Sequence, residues 1–277
     1  MSQTPAPPPP AAVRRALEEN LWALWSRFGR GDGCALHEAP GALWFDTPIP
    51  TLPYNGVLRF EGGHEGDDVD RRIDAIFEHY RRRRVPFFWI LHPSAGPADL
   101  DERLRARGLE EAEVCPGMAM RLDDLPETAG APAGIEIREV RDPSEVDHVL
   151  DLVAWRWQVP SEAVRFLPGM AKEFDVGRPG GALRFWLAWR DGVPVSKAII
   201  NLDAGAAGLY GVVTRPEARG LGLARILTLE GFHAAREAGY ELGVLHSSPM
   251  ACSLYERIGF RPVAPFRLFA PSGDFHV

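Results

Sequence analysis

Arg219, Gly220, Leu221, Gly222, Leu223 and Ala224 place a guanidinium and two glycines between an apolar, strand-like run (Leu209 to Thr214) and a helix-like run (Leu223 to Ala238). A glycine-rich turn opening a helix leaves several backbone N–H groups without intrahelical partners, and such groups bind phosphate. Glycine suits the position because a Cβ would hold a pyrophosphate off the backbone and because tight turns call for positive φ. Arg219 adds a planar cationic fork for the same anion. No Gly-Lys-Ser/Thr follows, and the third glycine of the dinucleotide fingerprint is missing. The chemistry expected is a cradle for a phosphorylated cofactor.

A second segment about thirty residues on, Ser248 to Phe260, follows another apolar run at Leu242 to Leu245. It reads as a loop, a short helix and a glycine stop at Gly259. Together the two segments resemble the core motifs of the GNAT superfamily of acyl-CoA-dependent N-acyltransferases. The family pattern Gln/Arg-x-x-Gly-x-Gly/Ala is met by Arg219, Gly222 and Ala224. The pattern Asn-x-x-Ala-x-x-Leu-Tyr-x-x-x-Gly-Phe is met by Ala251, Leu254, Tyr255, Gly259 and Phe260, with Ser248 in place of the usual Asn.

The resemblance implies an α/β fold whose central mixed sheet contains two parallel strands that splay apart around the pantetheine arm of acetyl-CoA, here the strand ending at Thr214 and the strand at Leu242 to Leu245. It implies a bulge at Val212 or Val213 that frees an N–H for the thioester oxygen. The pyrophosphate would rest on the N–H groups of Gly220 to Ala224, and Ser248 and Ala251 would border the pantetheine arm. Tyr255 would give a proton to the departing thiolate, since a phenol near pKa 10 stays protonated where a thiol near 8.5 ionises. His246, Glu162, Glu173 and Asp203 are candidates for the general base, and Trp155 and Trp157 for the acceptor wall.

Composition bounds the reading. The chain has 277 residues, 45% hydrophobic and 25% charged, with a formal net charge of −7. This suits a globular protein of one or two domains. The acidic balance argues against nucleic acid and fits a cationic amine, small molecule or peptide, as partner. Cys34, Cys115 and Cys252 form no metal or redox spacing. No run is long enough to span a bilayer. Composition points to a cytoplasmic protein, monomer or homodimer, and the resemblance implies that it uses acetyl-CoA and no metal.

Along the chain, residues 1–10 are Pro-rich and read as disordered. Helices are expected at 11–30, 69–84, 97–108, 143–157 and 161–174. Strands are expected near 34–37, 42–45, 56–60, 86–92, 113–122, 135–140, 183–190, 193–203, 208–214, 242–245 and 265–270.

Segments of the two halves repeat at an offset near 153, as in Trp89 to Ser94 against Gly243 to Ser248. This implies two GNAT-like units in tandem: 11–122, a linker at 123–134, and 135–277. The first unit lacks an Arg219 equivalent and carries Glu61, Glu65, Asp67, Asp68 and Asp70 there, so it is expected to be degenerate. Each such carboxylate within ~4 Å of a phosphate would cost on the order of 1 kcal/mol. The functional expectation is acetyl transfer to a primary amine. A CoA-binding sensor without turnover, or an acyltransferase using a longer acyl group or a non-amine acceptor, stays open beside it.

Overall fold

The computed structural model describes residues 10–63, 68–178 and 180–272. Most of the Pro-rich N-terminus, together with Glu65, Gly66 and Asp67, lies outside the described residues. The elements are α1 (Pro10–Trp25), β1 (Ala35–Ala39), β2 (Ala42–Asp46), β3 (Gly56–Phe60), α2 (Val69–Arg83), β4 (Phe88–Leu91), α3 (Leu100–Arg105), β5 (Leu109–Arg121), β6 (Ile135–Glu139), α4 (Val146–Arg156), α5 (Leu167–Ala171), β7 (Leu183–Arg190), β8 (Val193–Asp203), β9 (Ala206–Thr214), α6 (Leu223–Glu237), β10 (Leu242–His246), α7 (Cys252–Ile258) and β11 (Arg261–Pro271). The expected helix at 161–174 is instead two 3-10 turns around the five-residue α5. Pro160, Pro168 and Gly169 supply the reason, since proline removes a helical donor and glycine weakens the helix.

Compactness divides the chain into two units. The first comprises Met1–Leu21, Pro116–Val140 and Gly180–Ala264, and the second Trp22–Cys115, Arg141–Pro179 and Pro265–Val277. This partition differs from the expected cut at 123–134: the first three turns of α1 join the first unit, while Arg141–Pro179 and the segment from Pro265 join the second.

In the first unit the strand order is β6-β7-β8-β9-β10-β5. β9 and β10 run parallel, and the other neighbours run antiparallel. The hairpins β7–β8 and β8–β9 turn through Asp191-Gly192 and Ala204-Gly205, with all four residues at positive φ. Two-residue hairpin loops favour that conformation because its twist matches the strands. Helix α6 covers the sheet with Leu223, Ile226, Leu227, Leu229 and Phe232 buried. Each contributes about 1.5–3 kcal/mol by leaving water. Gly231 lets α6 approach closely, since a Cβ there would lie 2.7 Å from Ile200 Cγ1.

The second unit repeats the sequence of elements. Here β3 and β4 are the parallel pair, α2 packs Val69, Ile73, Ile76 and Tyr80 inward, and β11 pairs with β4 through residues 267–269. Spacing to the first unit is nearly constant: Val69 to Leu223 and Phe88 to Leu242 are each 154 residues, and Leu100 to Cys252 and Leu109 to Arg261 are each 152. The repeat legible in the sequence is thus a repeat of β-α-β-α-β units.

Asn20 ties α1 into the first unit. Its side chain is fully buried, and Nδ2 donates to the carbonyls of Asn201 (3.2 Å), Asp203 (2.8 Å) and Ala206 (3.0 Å). Its Oδ1 accepts from the Tyr210 hydroxyl at 3.0 Å. Gly208 is required beneath it, since a Cβ would come within 1.9 Å of that oxygen. Asn20→Ala strands several buried polar groups at about 1–3 kcal/mol for each left unsatisfied. Urea unfolding should show a loss of at least about 2 kcal/mol, and an unchanged midpoint would remove this clasp from the account.

Candidate functional site

β9 and β10 pair only through Gly243↔Ala207, Val244↔Gly208 and Leu245↔Leu209. Beyond Leu209 the strands part: β10 stays with β5 as far as His246↔Gly117, while Tyr210 to Thr214 continue on β8 alone. The cause is local. Lys197 opposes Val213 and Ile199 opposes Tyr210, so β9 carries one more residue than β8 across this step. The extra residue sits at Gly211-Val212, one position ahead of Val213. Gly211 has φ +56, and a Cβ there would lie 2.8 Å from Lys197 Nζ. The buried Lys197 ammonium donates to the Gly211 carbonyl at 2.8 Å and pins the bulge from beneath. Thr214 is also held, its hydroxyl 2.8 Å from Ser196 Oγ.

Past Thr214 the chain makes a 3-10 turn (Pro216–Ala218) and enters α6. Gly220 and Gly222 stand at φ +79 and +74, and neither would meet another atom if given a Cβ. Their glycine identity answers to backbone conformation, and the space above them is open. Gly222 is the N-cap of α6 with no side-chain cap, and among the described residues no turn or cap hydrogen bond takes up the N–H groups of Gly220 to Ala224. Arg219 is exposed, and its Nε lies 3.5 Å from the Thr214 carbonyl, too far to anchor it. A naked helix start, an exposed guanidinium and open space together fit the diphosphate of a nucleotide thioester.

The corresponding helix start in the second unit is closed by its own carboxylates. Asp68 caps α2, its Oδ1 accepting from the Arg71 N–H at 3.0 Å. Asp70 in the first turn is bound by Arg103 and Arg107. The parallel pair of that unit is closed as well. His92, 154 residues before His246, accepts the Phe60 N–H on Nε2 at 3.4 Å, and the Phe60 carbonyl takes the Gly96 N–H at 3.2 Å.

The remaining residues singled out from the sequence fall as follows. Ser248 and Ala251 bracket the turn into α7, with the Ala251 N–H donating to the Ser248 carbonyl at 3.0 Å. Tyr255 is buried on α7 and packs against Phe260. Burial raises its phenol above the ordinary tyrosine value, so it keeps its proton. His246 ends β10 beside Tyr210, ring centroids 6.1 Å apart. Both ring nitrogens are buried, and this burial pushes the imidazole down to about 3, against the pull of the buried Glu18 carboxylate. Glu18 went unremarked in the sequence because it looks like an ordinary helix-surface glutamate. Its signal is its place beside Leu17 and Leu21 on the buried face.

Asp203 sits at the far end of β9, opposite Ala206, and its carboxylate caps the Ala204 N–H. Four residues of strand, roughly 13 Å, separate Ala206 from Tyr210, where the strands begin to part, so Asp203 lies at the other end of β9. Glu162, Glu173, Trp155 and Trp157 belong to the second unit. There Glu162 is exposed, the Glu173 carbonyl accepts from Arg27, and Arg156 lies 4.4 Å over the Trp157 ring. Cys252 is partly exposed.

Residues 149–260 match the acetyltransferase (GNAT) family. The fold is similar to a GCN5-related N-acetyltransferase from Kribbella flavida (TM-score 0.68, 20% identity, 95% of this chain and 96% of that one). It is also similar to one from Sphaerobacter thermophilus (0.62, 18%, 97% and 96%). A tandem GNAT protein from the clavulanic acid biosynthesis pathway, solved without AcCoA, aligns over 96% of each chain (0.59, 15% identity). No curated protein matches the sequence. Residues 149–260 are thus similar to the acetyltransferase (GNAT) family, and nearly the whole chain shares the fold of solved GCN5-related N-acetyltransferases.

Proposed function

We propose that the chain transfers an acetyl group from acetyl-CoA to a primary amine, small molecule or peptide, at the splayed end of β9 and β10. The observation that carries this reading is the conjunction of that opening with the uncapped start of α6. Arg219 and the N–H groups of Gly220, Leu221, Gly222, Leu223 and Ala224 would hold the diphosphate. A backbone N–H at the bulge, Val212 or Val213, would polarise the thioester carbonyl, with Thr214 at the turn end of the strand. Ser248 and Ala251 would border the pantetheine arm. The bound thioester supplies an activated acetyl group and a thiolate leaving group. Tyr255 holds a proton for the departing sulfur, and burial keeps that proton in place at neutral pH.

His246 suits a different role from general base. An imidazole at about 3 cannot hold a proton taken from an ammonium at neutral pH, so it acts as a neutral wall of the cleft. We further propose that the second unit is a GNAT-like repeat that has lost the nucleotide: Asp68 and Asp70 fill its helix start, and His92 fills its strand gap.

Free-thiol release from acetyl-CoA across a panel of amines tests the reading, and absence of release with every amine would contradict it. Arg219→Glu should weaken CoA binding at least tenfold by calorimetry, because it replaces a phosphate partner with a like charge. Equal affinity would dismiss the cradle. Tyr255→Phe should keep CoA affinity and lower kcat by about 10²-fold, the usual scale of general-acid catalysis; an unchanged kcat would remove Tyr255 from the reaction.

The depressed His246 makes a prediction of opposite kind. The unfolded chain takes up a proton near pH 6.5 and the folded site only near 3. Acidification between those values therefore favours unfolding. A His246→Gln variant should lose part of this acid sensitivity in melts between pH 7 and 4, whereas a parallel profile would show that His246 is not desolvated.

A further inference from the structure

The second unit holds a cluster that neither the sequence motifs nor the acyltransferase reading uses. β1, β2 and α2 bring His37, Asp46 and His79 together. The Nε2 atoms of His37 and His79 lie 2.7 and 2.8 Å from one and the same oxygen, Asp46 Oδ2, and the three ligand atoms all fall within 4.8 Å of one another. Two imidazoles aimed by the same nitrogen at one carboxylate oxygen form the donor set of a borderline transition metal. We propose that His37, Asp46 and His79 bind a single divalent ion of the zinc class, independently of any acyl transfer.

The surroundings match what such a site needs. Asp46 is 1% exposed, and its other oxygen, Oδ1, is fixed by Arg83 Nη2 at 2.9 Å. That guanidinium is itself held by the Thr47 carbonyl at 3.2 Å. Oδ2 is thus presented in one orientation, the usual task of a partner behind a metal ligand. His37 stacks flat on Trp44, centroids 5.1 Å apart at 10°, and His79 meets Tyr80 edge-on at 5.2 Å, so both rings are oriented by packing. The two histidine side chains are each 29% exposed, which leaves an entry path and room for a water as further ligand. Zinc bonds of about 2.0–2.2 Å require the two imidazole–carboxylate separations to open by roughly half an ångström. Arg83 also sets selectivity: with one oxygen of the only carboxylate already neutralised, hard oxygen-seeking ions such as Mg²⁺ and Ca²⁺ gain little here.

The test uses tag-free, chelator-stripped full-length protein titrated with Co²⁺, read by visible absorption and by quenching of tryptophan fluorescence, for which Trp44 is a built-in reporter. The expected result is saturation at about one equivalent, displacement by Zn²⁺, and no displacement by excess Mg²⁺. His37→Gln and His79→Gln retain an amide that can hydrogen-bond Asp46, and their fold is checked by circular dichroism. They should weaken binding at least tenfold. Zn²⁺ should raise the Tm of the parent protein and not that of either variant. Absence of saturable binding, equal binding by the folded variants, or displacement by Mg²⁺ would each overturn the assignment.

Discussion

One extra residue in β9, admitted by the positive φ of Gly211 and held by the Lys197 ammonium on its carbonyl, ends the pairing of two parallel strands. Everything proposed for the first unit depends on that interruption. Had β9 and β10 paired to their ends, their N–H and C=O groups would be consumed in a ladder and no acyl chain could pass between them. The bulge accompanies the end of β9–β10 pairing, and the turn that follows Thr214 leads from there to the uncapped start of α6. The interrupted ladder at the bulge and the uncapped start of α6 are the physical content of the proposed site. Side chains such as Arg219 and Tyr255 act on top of it.

The second unit shows the same framework with both features closed. Its parallel pair is bridged by His92, and its helix start is capped by a carboxylate. The difference between an open and a closed unit therefore lies in a few short-range hydrogen bonds, made on elements spaced almost identically along the chain. Such closure satisfies buried polar groups that the open unit leaves available, and it is thermodynamically the easier state.

Much of this was legible in the sequence, for identifiable reasons. Gly220 and Gly222 stand at positive φ, as the tight turn read from the sequence called for. The strand run up to Thr214 and the helix from Leu223 followed from hydrophobic period. The location of the bulge did not, because the register of β9 against β8 depends on Lys197, a lysine that looks solvent-bound until it is buried. Nor did the role of α1, whose apolar stripe says only that it packs. Asn20 acquires meaning through partners some 180 residues away, and Glu18 through His246, farther still along the chain. His37, Asp46 and His79 were invisible for the same reason: strand pairing and helix packing bring together residues that share no local motif.

The central claim is that a nucleotide thioester occupies backbone left open at the β9 bulge and the α6 start. Amide hydrogen exchange with and without CoA tests it most directly. The account predicts slowed exchange at Gly211 to Thr214 and Gly220 to Ala224, with the Phe60 and Arg71 amides of the second unit unchanged. Unaltered exchange in those two segments under saturating CoA, or protection appearing instead at the second unit's helix start, would contradict it.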